Sequence, residues 1–381
     1  LINDYPESEF VPKSLVNLGL IYYNIGDYDR SLQFYELALK RFPKNIESRE
    51  ALTGVRDVFV AKGDADGYVQ FAQKFPGMEI SNAAQDSISY EIAETYYQKK
   101  DCPNATKEFT KYLAAHPNGA YVLYARYYRA ICYYNAQDYE KSGKDFDYIA
   151  EQSRNPFTEE SLNKGGRIAL FITKDYQKAF NYYRKLYEIG ASKELRTESL
   201  RGLVRASYYL KRMAELEQYS GLLLGVDTAT PDDFIDANYF LGMLTYETKS
   251  YTRAKTYFQQ VIARTTNEKG AQARYYLADM AFKQNDLDNA LKLCMNVAAE
   301  TPNQTEWVVR SYLLLADVYA AKGELFQAKA TLQSIIANYK PDDNLKKEAR
   351  EKLKTIEQQE AAQSKLQTGK PNTGGYLELE K

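Results

Sequence analysis

The chain has 381 residues, more than a single hydrophobic core usually spans, so two domains or a repeat array is expected. Lys and Arg number 50 against 51 Asp and Glu, a formal net charge of −1, which removes the electrostatic case for a nucleic-acid partner. Three cysteines with no CxxC and no Cys/His cluster support neither a disulfide framework nor a zinc site, and no apolar run approaches membrane-spanning length.

The first well-formed unit runs from Pro12 to Pro43, through Leu15, Leu18-Gly19, Tyr22, Gly26-Asp27-Tyr28, Tyr35 and Ala38. Before it, Leu1 and Pro6 stand 37 positions ahead of Ala38 and Pro43. Residues 1–8 are therefore expected to be the end of a preceding repeat, in an array that extends upstream of Leu1. The pattern starts again at Arg49, Asp86, Leu123, Glu160, Thr197, Ile235, Ala271 and Val309, in steps of 37, 37, 37, 37, 37, 38, 36 and 38. The units from Arg49 and Thr197 are weak, and Gly165-Gly166 interrupts the first helix of the unit from Glu160.

Each recurring position has a physical reason. A small residue (Gly19, Ala93, Ala130, Gly242, Ala278, Ala316) lets two helices approach, and a bulky one three later fills the adjacent space. Apolar residues at i, i+3/i+4 and i+7 give each helix one buried stripe. An acidic or hydroxyl residue at the turn (Asp27, Asp64, Asp101, Asp138, Asp175, Ser250, Asp286) is expected to accept N–H groups opening the second helix. Proline at the end cannot continue a helix.

This pattern resembles the tetratricopeptide (TPR) repeat, a helix–turn–helix unit, with Leu15 where that family prefers Trp and Ser31 where it prefers Ala. The resemblance implies an all-α, right-handed TPR α-solenoid of about nine repeats over residues 9–340. Residues 341–363, with Leu345, Ala349, Leu353 and Ile356 on one face, are expected to form a polar-backed capping helix. Residues 364–381, rich in Gly, Thr, Gln and Lys, are expected to be a disordered tail.

No catalytic constellation is visible, so the chain is read as not an enzyme, with no cofactor and no metal. The single histidine, His116, directly precedes Pro117 at a helix end, where capping or exposure explains it. Cys102, Cys132 and Cys294 occupy helix-packing positions as small hydrophobes. Gly165-Gly166 lacks the preceding strand and the GKS/T of a phosphate loop.

What remains is a surface. The resemblance implies that first helices line a concave groove that takes a peptide or helix. One column of positions there contains Tyr23, Val60, Tyr97, Tyr134, Phe171, Tyr208, Tyr246, Phe282 and Ala320. A second contains Val16, Thr53, Tyr90, Tyr127, Lys164, Arg201, Tyr239, Tyr275 and Leu313. Seven of the nine residues in the first column are aromatic against 14% of the chain, an enrichment that asks for an explanation. Either the rings pack between neighbouring first helices, or they line the groove, where Tyr offers large contact area at low entropy cost. The candidate groove residues are Tyr90, Tyr97, Tyr127, Tyr134, Lys164, Arg201, Arg205, Tyr239, Tyr246, Tyr275 and Phe282. Lys164, Arg201 and Arg205 would form a basic belt between two aromatic stretches, suited to a ligand with an acidic centre and apolar ends.

The expected function is a non-enzymatic scaffold for a protein or peptide. Helix endings such as Tyr5-Pro6-Glu7-Ser8 and Phe42-Pro43-Lys44-Asn45, followed by a Tyr-rich helix, resemble TPR units of bacterial envelope proteins that assemble outer-membrane barrels or coordinate envelope constriction. That resemblance implies a periplasmic or outer-membrane-associated place, with a lipid anchor upstream as one means of attachment; the cytoplasm is the alternative, favoured by unpaired cysteines. Other readings are a glycan-binding module of the cell wall and the helical arm of a larger enzyme.

Overall fold

The computed structural model describes residues 1–75 and 80–368, with side chains described as far as residue 362. All regular elements among them are helices. The chain divides into two compact units, residues 1–189 and 190–381.

Unit 1 contains five helix pairs: α1 (Val11–Asn24) with α2 (Tyr28–Arg41), α3 (Ile46–Lys62) with α4 (Ala65–Ala72), α5 (Asn82–Gln98) with α6 (Cys102–Ala115), α7 (Val122–Asn135) with α8 (Tyr139–Glu151), and α9 (Thr158–Arg167) with α10 (Tyr176–Ile189). Unit 2 contains four: α11 (Lys193–Tyr209) with α12 (Met213–Leu224), α13 (Pro231–Glu247) with α14 (Tyr251–Ile262), α15 (Glu268–Lys283) with α16 (Leu287–Glu300), and α17 (Thr305–Ala321) with α18 (Leu325–Asn338). A last helix, α19 (Asn344–Thr368), buries Leu345, Ala349 and Ile356 against Leu332 and Ile335. Residues 364–368, expected in a disordered tail, continue this helix, and 369–381 lie outside the described residues.

The turn inside each pair is set by one residue in the left-handed region. Among the described residues these are Gly26, Gly63, Lys100, Gln137, Lys174, Lys211, Lys249, Asn285 and Gly323. Their spacing reproduces the steps of 37, 38 and 36 read from the sequence. A left-handed residue closes a first helix by letting the next N–H groups turn back onto its last carbonyls: Asp27 N–H donates to the Tyr22 carbonyl at 2.9 Å, and Asp101 N–H to the Tyr96 carbonyl at 2.9 Å.

The small residue of a first helix is a seat for a side chain of the second: a ring in several pairs, as at Gly19 and Gly242, but Cys294 at Ala278 and Leu332 at Ala316. A Cβ at Gly19 would come within 2.4 Å of the Tyr35 ring, so only glycine admits that ring. Ser31, in place of the preferred Ala, donates its buried hydroxyl to the Gly19 carbonyl at 2.7 Å; Ser142 repeats the bond to Ala130 at 3.0 Å. The weak first helix of the fifth pair also has a steric cause. A Cβ at Gly165 would lie 2.8 Å from the Tyr182 ring, and α9 continues into a π-helical turn, Ile168–Ile172, before α10 begins. Inserting a residue into the helical ladder in this way re-phases the side chains that follow.

Candidate functional site

Unit 1 gathers its aromatic residues on α5, α7 and the loop before α9. Tyr90 stacks on Tyr121 with ring centroids 4.5 Å apart. Tyr97 lies 4.4 Å from Tyr128. Tyr127 stacks on Phe157 at 4.2 Å, and Tyr124 meets the same Phe157 edge-on at 5.0 Å. Tyr124 is 42% exposed, so this cluster reaches solvent. Tyr90, by contrast, is buried, and its main role is core packing with Phe109 and Tyr112.

Two carboxylates are set into this face. Glu94 accepts the Tyr90 hydroxyl at 2.9 Å, and Glu160 accepts the Tyr127 hydroxyl. Their charges act on the surrounding phenols. Burial and then the bond to Glu94 push the Tyr90 hydroxyl well above its ordinary value. Burial and then the charge of Glu160 raise Tyr97; burial and then Glu94 raise Tyr128. Tyr134 packs edge-on against Tyr139 and Phe146, and the Lys164 ammonium sits 4.5 Å from its ring centroid.

Unit 2 uses the equivalent positions in a similar way, and Tyr246 lies 4.7 Å from Tyr276 as Tyr97 lies 4.4 Å from Tyr128. Tyr246 donates to Asp279 on the next first helix, Tyr239 to Gln272, and Tyr208 to Glu247 at 3.2 Å. Tyr275 packs 5.5 Å from Trp307, and Phe282 lies among Ala281, Ala290 and Val318. In both units rings pack between neighbouring first helices, one of the two explanations their enrichment admits.

Two expectations are corrected. Lys164, Arg201 and Arg205 do not form an open basic belt. Arg201 makes a two-pronged bond to Asp233, Nε to Oδ1 at 2.7 Å and the guanidinium nitrogen to Oδ2 at 2.8 Å, and also meets Glu198 at 3.3 Å. Arg205 pairs with Asp236, and Lys164 lies 3.5 Å from Glu160. These carboxylates come from the start of the next first helix or one turn away on the same helix, neutralising each cation where it stands. The second correction concerns cysteine: Cys102 and Cys132 form a disulfide, with Cα atoms 5.3 Å apart. It ties the first turn of α6 to the last turn of α7, inside the cluster that holds Tyr97 and Tyr128. Cys294 is free and fully buried, its thiol pushed up to about 12 by burial and by the charges of Asp279 and Asp317.

Phe157, Tyr124 and Tyr128 are absent from the two columns that the repeat pattern selects. Tyr124 and Tyr128 are three residues before and one after Tyr127 on α7, Tyr124 exposed and the other two part-buried. Helical spacing was sufficient to find Tyr124. Phe157 lies in the connection before α9, outside any helical period. His116 ends α6, its Nε2 3.3 Å from the Ser89 hydroxyl oxygen. Among the described residues, no group of three or more His, Cys, Asp or Glu is placed to hold a metal ion.

Comparison with known families finds three matching segments, 12–45, 239–304 and 310–340, each to a tetratricopeptide repeat. The chain carries tetratricopeptide repeats. No characterised protein matches it in sequence. Among solved structures, the C-terminal part of a TPR repeat-containing protein from Cytophaga hutchinsonii is 19% identical, over 69% of this chain and 99% of its own, with a TM-score of 0.49. A signal-transduction ATPase with a tetratricopeptide sensor from Pyrococcus horikoshii is 13% identical, over 84% of this chain and 51% of its own, at 0.48. The TPR2AB domain of yeast Sti1, in a pHSP90 complex, is 18% identical, over 72% of this chain and 100% of its own, at 0.29. The assignment rests on the three repeat matches and on the helix–turn–helix pairs: the fold is an all-α TPR solenoid. Among the described residues, no helix is long and apolar enough to cross a membrane.

Proposed function

We propose that this TPR solenoid is a non-catalytic scaffold that holds a protein or peptide on the aromatic face of unit 1, in an oxidising compartment of the bacterial envelope. The observation that carries the binding role is the cluster around Tyr124, Tyr127 and Phe157, in which packed rings on adjoining elements reach solvent through Tyr124. TPR repeats serve protein–protein contacts, and Tyr is favoured at such interfaces.

The disulfide supports the compartment. Cys102 and Cys132 are oxidised to each other, leaving only the buried Cys294 as a thiol, so the case for a reducing cytoplasm from unpaired cysteines falls away. Attachment through a lipid anchor upstream of Leu1 is part of the same reading. The test is capture from a bacterial envelope fraction and from cytoplasm, with the native chain and a Tyr97→Ser/Tyr124→Ser/Tyr127→Ser variant. A protein retained by the native chain from the envelope and lost by the variant, at unchanged helicity, supports the proposal. Equal retention by both chains defeats it.

A further inference from the structure

The aromatic face of unit 1 holds more negative charge than it neutralises. Glu94 accepts the Tyr90 hydroxyl, and no lysine or arginine among the described residues pairs with it. Asp57 stands at the position of Glu94 one repeat earlier; its neighbour Arg56 is engaged by Glu91 on α5 instead. Burial, only partly offset by Arg56, holds the Asp57 carboxyl above its ordinary value. Glu160, whose side chain is 47% exposed, has Lys164 at 3.5 Å, but that ammonium is shared with the Tyr134 ring. Glu94 and Glu160 flank the Tyr97–Tyr128 pair from α5 and α9, and both raise the phenols of that pair.

The ring geometry narrows what fits. The Tyr90 face is covered by Tyr121 and the Tyr127 face by Phe157, both in stacked arrangements. A pyranose needs an open ring face, so these rings offer it little. They present edges instead, along which a narrow alkyl chain can lie. Carboxylates beyond an apolar wall then supply what an ammonium or guanidinium needs, and an acidic ligand would be repelled.

We propose that the aromatic face of unit 1 is selective for a protein segment presenting a lysine or arginine side chain, its stem along Tyr97, Tyr127 and Tyr128 and its cation held by Glu94 and Glu160. This deepens the scaffold reading above and depends on it. It also reverses the charge of ligand that an open basic belt would have selected, because Arg201 and Arg205 are held by Asp233 and Asp236, whereas Glu94 has no cation beside it among the described residues and Glu160 has only Lys164 at 3.5 Å.

The experiment uses the full chain and three synthetic peptides of one frame, Leu-X-X-Leu-X-X-Leu, with X as Lys, Gln or Glu, and an N-acetylglucosamine oligomer as a fourth ligand. Binding is measured by calorimetry at low and high salt. The lysine peptide is expected to bind about tenfold tighter than the glutamine one, with the glutamate peptide weakest and the lysine advantage fading with salt. In the Glu94→Gln/Glu160→Gln chain that advantage should vanish, while the amide oxygens still accept the two tyrosine hydroxyls. A Glu94→Asp/Glu160→Asp chain, which keeps the charges, should retain a preference for lysine over glutamine. Equal binding of lysine and glutamine peptides, or a lysine advantage that survives the Gln substitutions, overturns charge selection and leaves the scaffold reading standing. Binding of the sugar oligomer alone, or of none of the four ligands, overturns both.

Discussion

The two units share one repeat and support it differently. In unit 1 all five second helices open on an aspartate whose carboxylate accepts a backbone N–H three residues on: Asp27 from Arg30 at 3.1 Å, Asp64 from Gly67 at 2.8 Å, Asp101 from Asn104 at 3.2 Å, Asp138 from Lys141 at 3.3 Å and Asp175 from Lys178 at 3.0 Å. In unit 2 the residues at that place are Arg212, Ser250, Asp286 and Glu324, and none makes a side-chain cap. Both units link successive first helices by side chains: Lys13 to Glu50, Arg56 to Glu91 and Tyr127 to Glu160 in unit 1, and Arg201 to Asp233, Arg205 and Lys269 to Asp236 and Tyr246 to Asp279 in unit 2.

The largest test of this contrast is the disulfide, which belongs to unit 1 alone. Its loop of 30 residues corresponds to roughly 3–4 kcal/mol in the chain-entropy account. A Cys102→Ala/Cys132→Ala chain should therefore lose hydrogen-exchange protection through α5–α8 and keep it through α13–α16. Equal loss in both units would mean they do not respond separately. Next comes Asp145, 2% exposed and gripped by Arg126 at 3.0 Å and Arg129 at 2.8 Å. Removing one partner of a buried pair strands the other; because both arginines reach some solvent, Asp145→Ala should cost about 2–3 kcal/mol in denaturant unfolding. A loss below about 1 kcal/mol would show the arginines rehydrate freely.

Much of the fold was legible from the sequence because the repeat is enforced at every level. The turn residue, the small seat and the apolar stripe recur together, and the left-handed residues fall at the same steps. The site was legible only in part. Tyr97 and Tyr127 stand on the surface cluster the repeat position selects, whereas Tyr90 at an equivalent position is core. Their fate depends on neighbours such as Tyr121 and Phe157, which lie outside the helical period. The disulfide was hidden because Cys102 and Cys132 lie on different repeats and approach only when α6 and α7 stack. The Arg201 pairing escaped for a related reason: its partner Asp233 is 32 residues ahead, at the start of the next first helix. Asp286 is the opposite error, an aspartate at the capping place whose carboxylate makes no cap.

That aspartate sharpens the comparison at the scale of about 1 kcal/mol. Asp101→Ala should lower stability by about 1 kcal/mol, the usual effect of removing a cap, and Asp286→Ala by a few tenths at most. Equal losses would erase the difference between the units. The same scale applies to hydroxyls. Tyr246→Phe removes a bond to Asp279 and should cost about 1 kcal/mol, while Tyr97→Phe, whose hydroxyl has no partner among the described residues, should be neutral within a few tenths.

The smallest effect probes what the units have in common. Lys100 in unit 1 and Lys249 in unit 2 occupy the left-handed turn position with φ of 59° each, where Gly26, Gly63 and Gly323 serve other repeats. A Cβ there crowds its own backbone, a penalty that glycine escapes, although glycine also gains freedom in the unfolded chain. The balance favours glycine at a position already left-handed, so Lys100→Gly and Lys249→Gly should each stabilise by about 0.5–1 kcal/mol, read as a higher denaturation midpoint at unchanged slope. Both lysines are exposed and neither makes an ion pair among the described residues, so no lost contact should mask the gain. Gains of equal size in the two units would show that the turn is a property of the repeat, indifferent to whether a capped aspartate follows it, as at Asp101, or an uncapped serine, as at Ser250. A gain confined to Lys249 would show that the Asp101 cap already holds the turn of its own repeat in place.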